Sequence, residues 1–314
     1  MSAAGEPLGA PPPEGLVWHY TDGHGLLSIL RDEVLWATAS GYLNDAHEVE
    51  LGNQLLLRRF TELADGQDPH YAELRSRLER ADTQRGPSTS WFFILSASRS
   101  PDSLAMWRSY GGRGESYAIG LEPRAALSLF VDDASVGDDV IIHQRGWTPV
   151  RYDPAGQAAL VDGVYAEFTR ELRDVVELRR AGDVTTRQYL RALDRTLDAA
   201  EQALVLIKHA GFQEEQETRH STVVVGGADR VTTQAGITRF RHGPYGITPY
   251  VTLTGASDDG PSPVTSTRTR LPIRALTISP SANGPQAVDS VAALLASAGR
   301  PEVTIHRSSI PFRS

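Results

Sequence analysis

Three short clusters in this chain of 314 residues hold side chains able to do chemistry. The first is Trp18-His19-Tyr20-Thr21. Residues two apart on a strand face the same side, so His19 and Thr21 would point together and both reach the hydroxyls of a bound nucleotide. The second spans 96–120, beginning Ser96-Ala97-Ser98 directly after an aromatic-rich apolar run. Within it Tyr110, beside Gly111 and Gly112, is better placed to face a ligand than Leu104 or Trp107, whose spacing suits a core. The third spans 208–219. Read as a strand, it sets Glu215, Glu217 and Arg219 on one face. The apolar stretch 221–225 then carries that strand into a core sheet, with a carboxylate pair at its mouth. Each cluster also has an ordinary structural counterpart: a histidine beside a tight turn, turn chemistry at a helix end, and a solvated strand edge.

What the chain lacks narrows the chemistry. There is no phosphate-cradling loop of the GxxxxGK[ST] type and no GxGxxG, and Gly111-Gly112-Arg113-Gly114 has the wrong glycine spacing. His47-Glu48 opens like a zinc-protease helix, but no second His follows at the required turn. No GxSxG elbow is present. With no Cys at all, disulfides, thiolate zinc sites and a Cys nucleophile are excluded together, and the cytoplasm is the favoured compartment. A metal-dependent hydrolase built on Glu215 and Glu217, with Asp45 as a further ligand, is disfavoured because no ligand motif surrounds them. No metal is expected.

The elements that must position these clusters read as an α+β chain with a mixed or antiparallel sheet core. Strands are expected over 16–21, 34–38, 91–98, 116–121, 215–226, 239–253, 271–279 and 302–310. Helices are expected over 25–31, 45–64 and 285–298, with a largely helical middle insertion around 154–208 whose clearest periodicity lies at 188–208. Ser100-Pro101-Asp102 reads as a helix start with Ser100 as cap, and Gly111-Gly112 as its stop. Residues 1–15, rich in Ala, Gly and Pro without a basic or apolar core, read as a disordered tail rather than a signal peptide, leaving 16–314 as one domain. No run is apolar over the roughly 18 residues a membrane span needs. The net charge of −8 disfavours broad nucleic-acid binding.

Four blocks carry a resemblance over most of the chain: LVWHYTDGHGLLSILRDEVLWATASGYLND at 16–45, ILSASRSPDSLAMWRSYGG at 94–112 with YAIGL at 117–121, KHAGFQEEQETR at 208–219, and SSIPFR at 308–313. In content and order they resemble the bacterial domain-of-unknown-function family numbered 2971. A second similarity is to the ADP-ribosyltransferase superfamily, through the order His, then Ser-x-Ser with Tyr, then Glu-x-Glu. That resemblance implies NAD as co-substrate. His19 and Thr21 would hold a ribose, and Ser96, Ser98 and either Tyr110 or Tyr117 would pack around nicotinamide. Glu217 would act on the nicotinamide ribose, Glu215 as base on the acceptor, and Arg219 or Lys208 on the pyrophosphate. The implied activity is an ADP-ribosyltransferase or NAD glycohydrolase, in a setting such as phage defence or a toxin system. A non-catalytic nucleotide- or protein-binding module is the alternative. Protein, nucleic acid, small molecule and water all stay open as acceptor.

Overall fold

The computed structural model describes residues 12–43, 47–63, 90–111, 114–132, 140–182, 185, 203–225, 237–243, 246–257, 262–281 and 283–311. The chain is α+β. The strands are β1 (Val17–Asp22), β2 (Leu35–Ala39), β3 (Ser90–Ser98), β4 (Ser116–Leu121), β5 (Leu127–Phe130), β6 (Ile141–Pro149), β7 (Glu217–Val225), β8 (Arg239–Gly243), β9 (Gly246–Gly255), β10 (Val264–Thr265), β11 (Ile273–Ile278) and β12 (Thr304–Arg307). The helices are α1 (Gly23–Asp32), α2 (His47–Leu63), α3 (Leu104–Tyr110), α4 (Pro154–Arg180) and α5 (Pro285–Ser297), with short 3-10 turns at Ser40–Tyr42 and Ala210–Glu215.

β3 organises the sheet. Its aromatic and branched residues favour extended backbone, and along its whole length one edge pairs with β7, from Ser90 opposite Val225 to Ser98 opposite Glu217. The other edge is shared. β2 takes its lower part, with Thr38 opposite Ile94 and Ala39 opposite Phe93. β1 takes its upper end, with Trp18 opposite Ser98. Two wings leave from this edge. One runs β1-β4-β11-β12, the other β2-β9-β5-β10, with β8 also on β9 and β6 on the far side of β7. The inner faces of both wings, through Val17, Ile119, Leu276, Leu35, Val251 and Leu253, bury one apolar core together with Leu26 and Leu30 of α1 and Val291 and Leu295 of α5. On the outer face of β1, α3 packs Met106 and Trp107 against Trp18 and Tyr20. α2 and α4 form a separate helical layer through Leu56, Val161 and Val164, joined by Leu204 and Ile207.

Trp18 lies flat on β4 because its partner there is Gly120. A Cβ at Gly120 would sit 2.9 Å from the Trp18 ring and 3.0 Å from Leu16. Trp18 is almost fully buried and has no room to retreat. Gly120→Ala is therefore expected to destabilise the fold by about 1–3 kcal/mol, the usual range for overpacking, readable as a lowered urea midpoint at unchanged m-value.

Several expectations need correction. The helix at 104–110 is capped by Ser103, whose hydroxyl accepts from the Met106 N–H, and not by Ser100. Asp102 instead accepts from the Trp107 indole N–H at 2.8 Å and from Ser308 at 2.6 Å. The stretch 239–253 is a hairpin of β8 and β9, turned between Gly243 and Gly246, the latter at φ +95°. Glu215 precedes the strand: it closes a 3-10 turn, and Gln216 at φ 45° separates it from β7. Of the middle insertion, 154–180 is helical, whereas 186–202 lies outside the described residues, as do residues 1–11, Asp45 and Gly112-Arg113.

Candidate functional site

The third sequence cluster folds into a buried ionic network. β7 brings Glu217 and Arg219 to one face, and the segment after the helical layer brings Lys208 across it. The Arg219 fork grips Glu217, Nε donating to Oε1 at 2.7 Å and Nη2 to Oε2 at 2.9 Å. Lys208 Nζ donates to Glu217 Oε2 at 2.9 Å and to Glu215 Oε2 at 2.7 Å. The Ser96 hydroxyl also bonds the Glu217 carboxylate. Arg219 Nη1 donates to the Val205 carbonyl. Among the described residues two cations and two carboxylates meet here, and Lys208, Glu217 and Arg219 are all buried.

That pairing sets the electrostatics. Burial alone would raise the Glu217 pKa, yet the Arg219 charge and hydrogen bonds, then Lys208, then Ser96, hold it down at about 2. Glu217 is therefore a carboxylate throughout the neutral range. A carboxylate has about four lone-pair sites, and Glu217 uses four, for Arg219 twice, Lys208 and Ser96. Its backbone is fixed as well: the Glu217 N–H donates to Tyr152 Oη at 2.8 Å, and its carbonyl accepts from the Val150 N–H at 3.0 Å. Burial, with Glu217 and Glu215 nearby, raises the Tyr152 phenol to about 12, so it stays protonated.

The first cluster meets the second at the shared edge of β3. Between the β1 and β2 ladders, the edge at Leu95, Ser96 and Ala97 pairs with no strand on that side among the described residues. His19 enters this gap, its Nδ1 3.0 Å from the Ser96 carbonyl. A carbonyl only accepts, so Nδ1 carries the proton and Nε2 of the neutral ring is an acceptor. Burial lowers the His19 pKa, the Ser96 carbonyl opposes that, and the Arg241 charge adds to the lowering, which favours the neutral form. Ser98 ties the third cluster to the same strand, donating to the Glu215 carbonyl at 2.7 Å.

Register decides which residues share a face. Trp18, Ser98 and Glu217 form one rung across β1, β3 and β7, so their side chains stand on the outer face with Ser96 and Arg219. His19 and Thr21 alternate to the inner side. Tyr117 is opposite Thr21 on β4 and stands on that inner side too. Its phenol donates to Glu115 Oε1 at 2.7 Å. Tyr110 packs with Trp18, Tyr20 and Trp107 on the outer face. The structure thus gathers Ser96, Ser98, Glu215, Glu217, Arg219 and Lys208, and links His19 to them only through the Ser96 backbone. It separates Thr21 and Tyr117 from Tyr110 by the thickness of the sheet. Arg219 and Lys208 bind carboxylates and a carbonyl within the network, which leaves the pyrophosphate role given to them without an open donor face.

Sequence reasoning missed Tyr152 and the Val205 carbonyl, which no local pattern marks. It also passed over Trp36. There a signal existed: in Leu35-Trp36-Ala37 the small and aliphatic neighbours point inward, so the tryptophan must point out.

A family model described as "Protein of unknown function (DUF2971)" matches residues 106–220. That span includes Tyr110, Tyr117, Lys208, Glu215, Glu217 and Arg219, and leaves His19, Thr21, Ser96 and Ser98 outside. No curated protein and no solved structure matches the chain.

Proposed function

We propose that this chain is an NAD-consuming enzyme, an ADP-ribosyltransferase or NAD glycohydrolase, whose reacting centre lies where β1, β3 and β7 meet. One observation supports this most: three motifs far apart in sequence, carrying His19, Ser96-Ala97-Ser98 and Glu217, lie on laterally adjacent strands. They are joined by His19 to the Ser96 carbonyl and by the Ser96 hydroxyl to Glu217.

The chemistry follows from those groups. Nicotinamide leaves with the electron pair of its bond to ribose C1′, and the sugar passes through an oxocarbenium-like state, as in glycoside hydrolysis. An ionised carboxylate stabilises that charge, and Glu217 is held ionised. Its lone pairs are filled, so a ribose hydroxyl enters by replacing the Ser96 hydroxyl, one O–H for another, with both cations left in place. His19, on the other side of the sheet, holds the Ser96 carbonyl through Nδ1 and so positions the hydroxyl that the ribose replaces. Glu215, less deeply buried than Glu217, serves as base for an acceptor or for water. No metal takes part in this scheme.

A second reading, a nucleotide-binding module without turnover, is favoured by the saturation of Glu217. The two are separated by incubating the protein with NAD, measuring nicotinamide release and, by calorimetry, NAD binding. Release is expected, and His19→Ala should lower it by about 10²-fold, the cost of letting the Ser96 backbone shift by about 1 Å. Binding with no release selects the second reading, and neither binding nor release rejects both.

A further inference from the structure

On the outer face of the β2 wing, an exposed tryptophan and a cation stand together outside the network of Glu217. Trp36 is 42% exposed. Tyr250, diagonal to it on β9, holds it with ring centroids 4.7 Å apart and 36° between planes. Arg241 of β8 lies over both rings, at 5.2 Å from Trp36 and 5.7 Å from Tyr250. Its Nη2 donates to the Thr38 hydroxyl at 2.7 Å. Among the described residues no carboxylate pairs with Arg241. Its neighbours are aromatic rings and a hydroxyl, and burial lowers its pKa. A half-buried guanidinium without a counter-ion is a site for an anion, and its fork suits phosphate oxygens. An exposed indole held by the tilted Tyr250 ring is a platform for a planar ring.

We propose that Trp36, Tyr250 and Arg241 form a subsite for the adenine nucleotide half of the dinucleotide, the base stacking on Trp36 and the phosphate meeting Arg241. This rests on the NAD reading for the identity of the base. The register supports the connection. Thr38, the partner of Arg241, is opposite Ile94 on β3. Ser96 stands on the same face two residues further, a rise of about 7 Å. Arg241 is also near enough to His19 for its charge to act there. An extended dinucleotide with its nicotinamide ribose at Ser96 and Glu217 would lay its phosphates toward Arg241. This supplies the pyrophosphate cation that Arg219 and Lys208 do not.

The test is calorimetric binding of ADP, with AMP and adenosine alongside, to the full chain and to Trp36→Ala, Trp36→Phe and Arg241→Gln. ADP should bind, and Trp36→Ala and Arg241→Gln should each weaken it by about 10-fold, while Trp36→Phe keeps it within about 3-fold. Adenosine should be insensitive to Arg241→Gln. Circular dichroism confirms that each variant is folded, and the exposed Trp36 makes that outcome easy to obtain. ADP affinity unchanged in both Trp36→Ala and Arg241→Gln, or no ADP binding by the wild type, overturns the subsite. Nicotinamide release distinguishes the two levels. Turnover whose KM for NAD ignores both substitutions removes the subsite and keeps the NAD reading. ADP binding that depends on both residues, without turnover, keeps the subsite and removes catalysis.

Discussion

Glu217→Gln should lower the unfolding free energy by about 3–5 kcal/mol, the usual cost of removing one partner from a buried ion pair. Glu217 is 5% exposed and is held by a forked Arg219 and by Lys208. The amide keeps the shape but loses the charge, so two buried cations lose the carboxylate they share, and Glu215 stays with Lys208 alone of the two. It also offers N–H donors where the cations need acceptors. The measurement is urea unfolding of the wild type, Glu217→Gln, Lys208→Met and the double variant. The double variant should lose less than the two single losses added together, because removing Lys208 restores the balance that Glu217→Gln upsets. Additive losses, or a single loss below about 1 kcal/mol, would contradict a coupled buried network of this strength.

Mild acid should destabilise the chain through His220. This residue is 4% exposed on β7, meets Trp147 edge-on at 5.8 Å, and its Nδ1 has no hydrogen-bond partner among the described residues. Burial pushes its pKa from 6.5 down to about 4. Between those values the unfolded chain binds a proton that the folded chain refuses, so stability falls as pH falls. The contribution is complete above pH 6.5, lost below about pH 4, and worth about 3 kcal/mol at one pKa unit per 1.36 kcal/mol. His19 is shifted in the same direction and adds to the same slope. Glu217 acts in a lower window, its contribution present above 4.5 and lost as pH falls toward 2. His220→Phe should flatten most of the fall in urea midpoint between pH 6.5 and 4.5. An equally steep fall in that variant would assign the acid sensitivity elsewhere.

Local patterns made much of the fold legible. The alternation of β1, the aromatic-rich apolar run of β3, the short apolar runs of β4 and β11 and the helical segments α1 and α5 were visible because neighbours a few residues apart dictate them. What failed was non-local or rested on rare backbone. Glu215, Glu217 and Arg219 have the spacing of one strand face, but Gln216 takes a left-handed conformation uncommon for a residue other than glycine, and Glu215 drops out of the strand. The hairpin hidden in 239–253 had its signal in Gly243-Pro244-Tyr245-Gly246, a turn composition in the middle of the run read as one strand. Sheet faces were beyond sequence reach. His19 and Glu217 fall on opposite sides because Trp18, and not His19, is level with Ser98, a fact set by pairing between distant strands. The same pairing brings Trp36, Tyr250 and Arg241 together from three separate strands.

The most direct measurement is nicotinamide release from NAD by the wild type and by Glu217→Gln, at neutral pH and at a temperature where circular dichroism shows both folded. Release by the wild type that falls by at least about 10²-fold in Glu217→Gln is the expected result. Release undiminished in the folded variant would contradict the role given to Glu217, and a wild type that neither binds NAD nor releases nicotinamide would contradict the site itself.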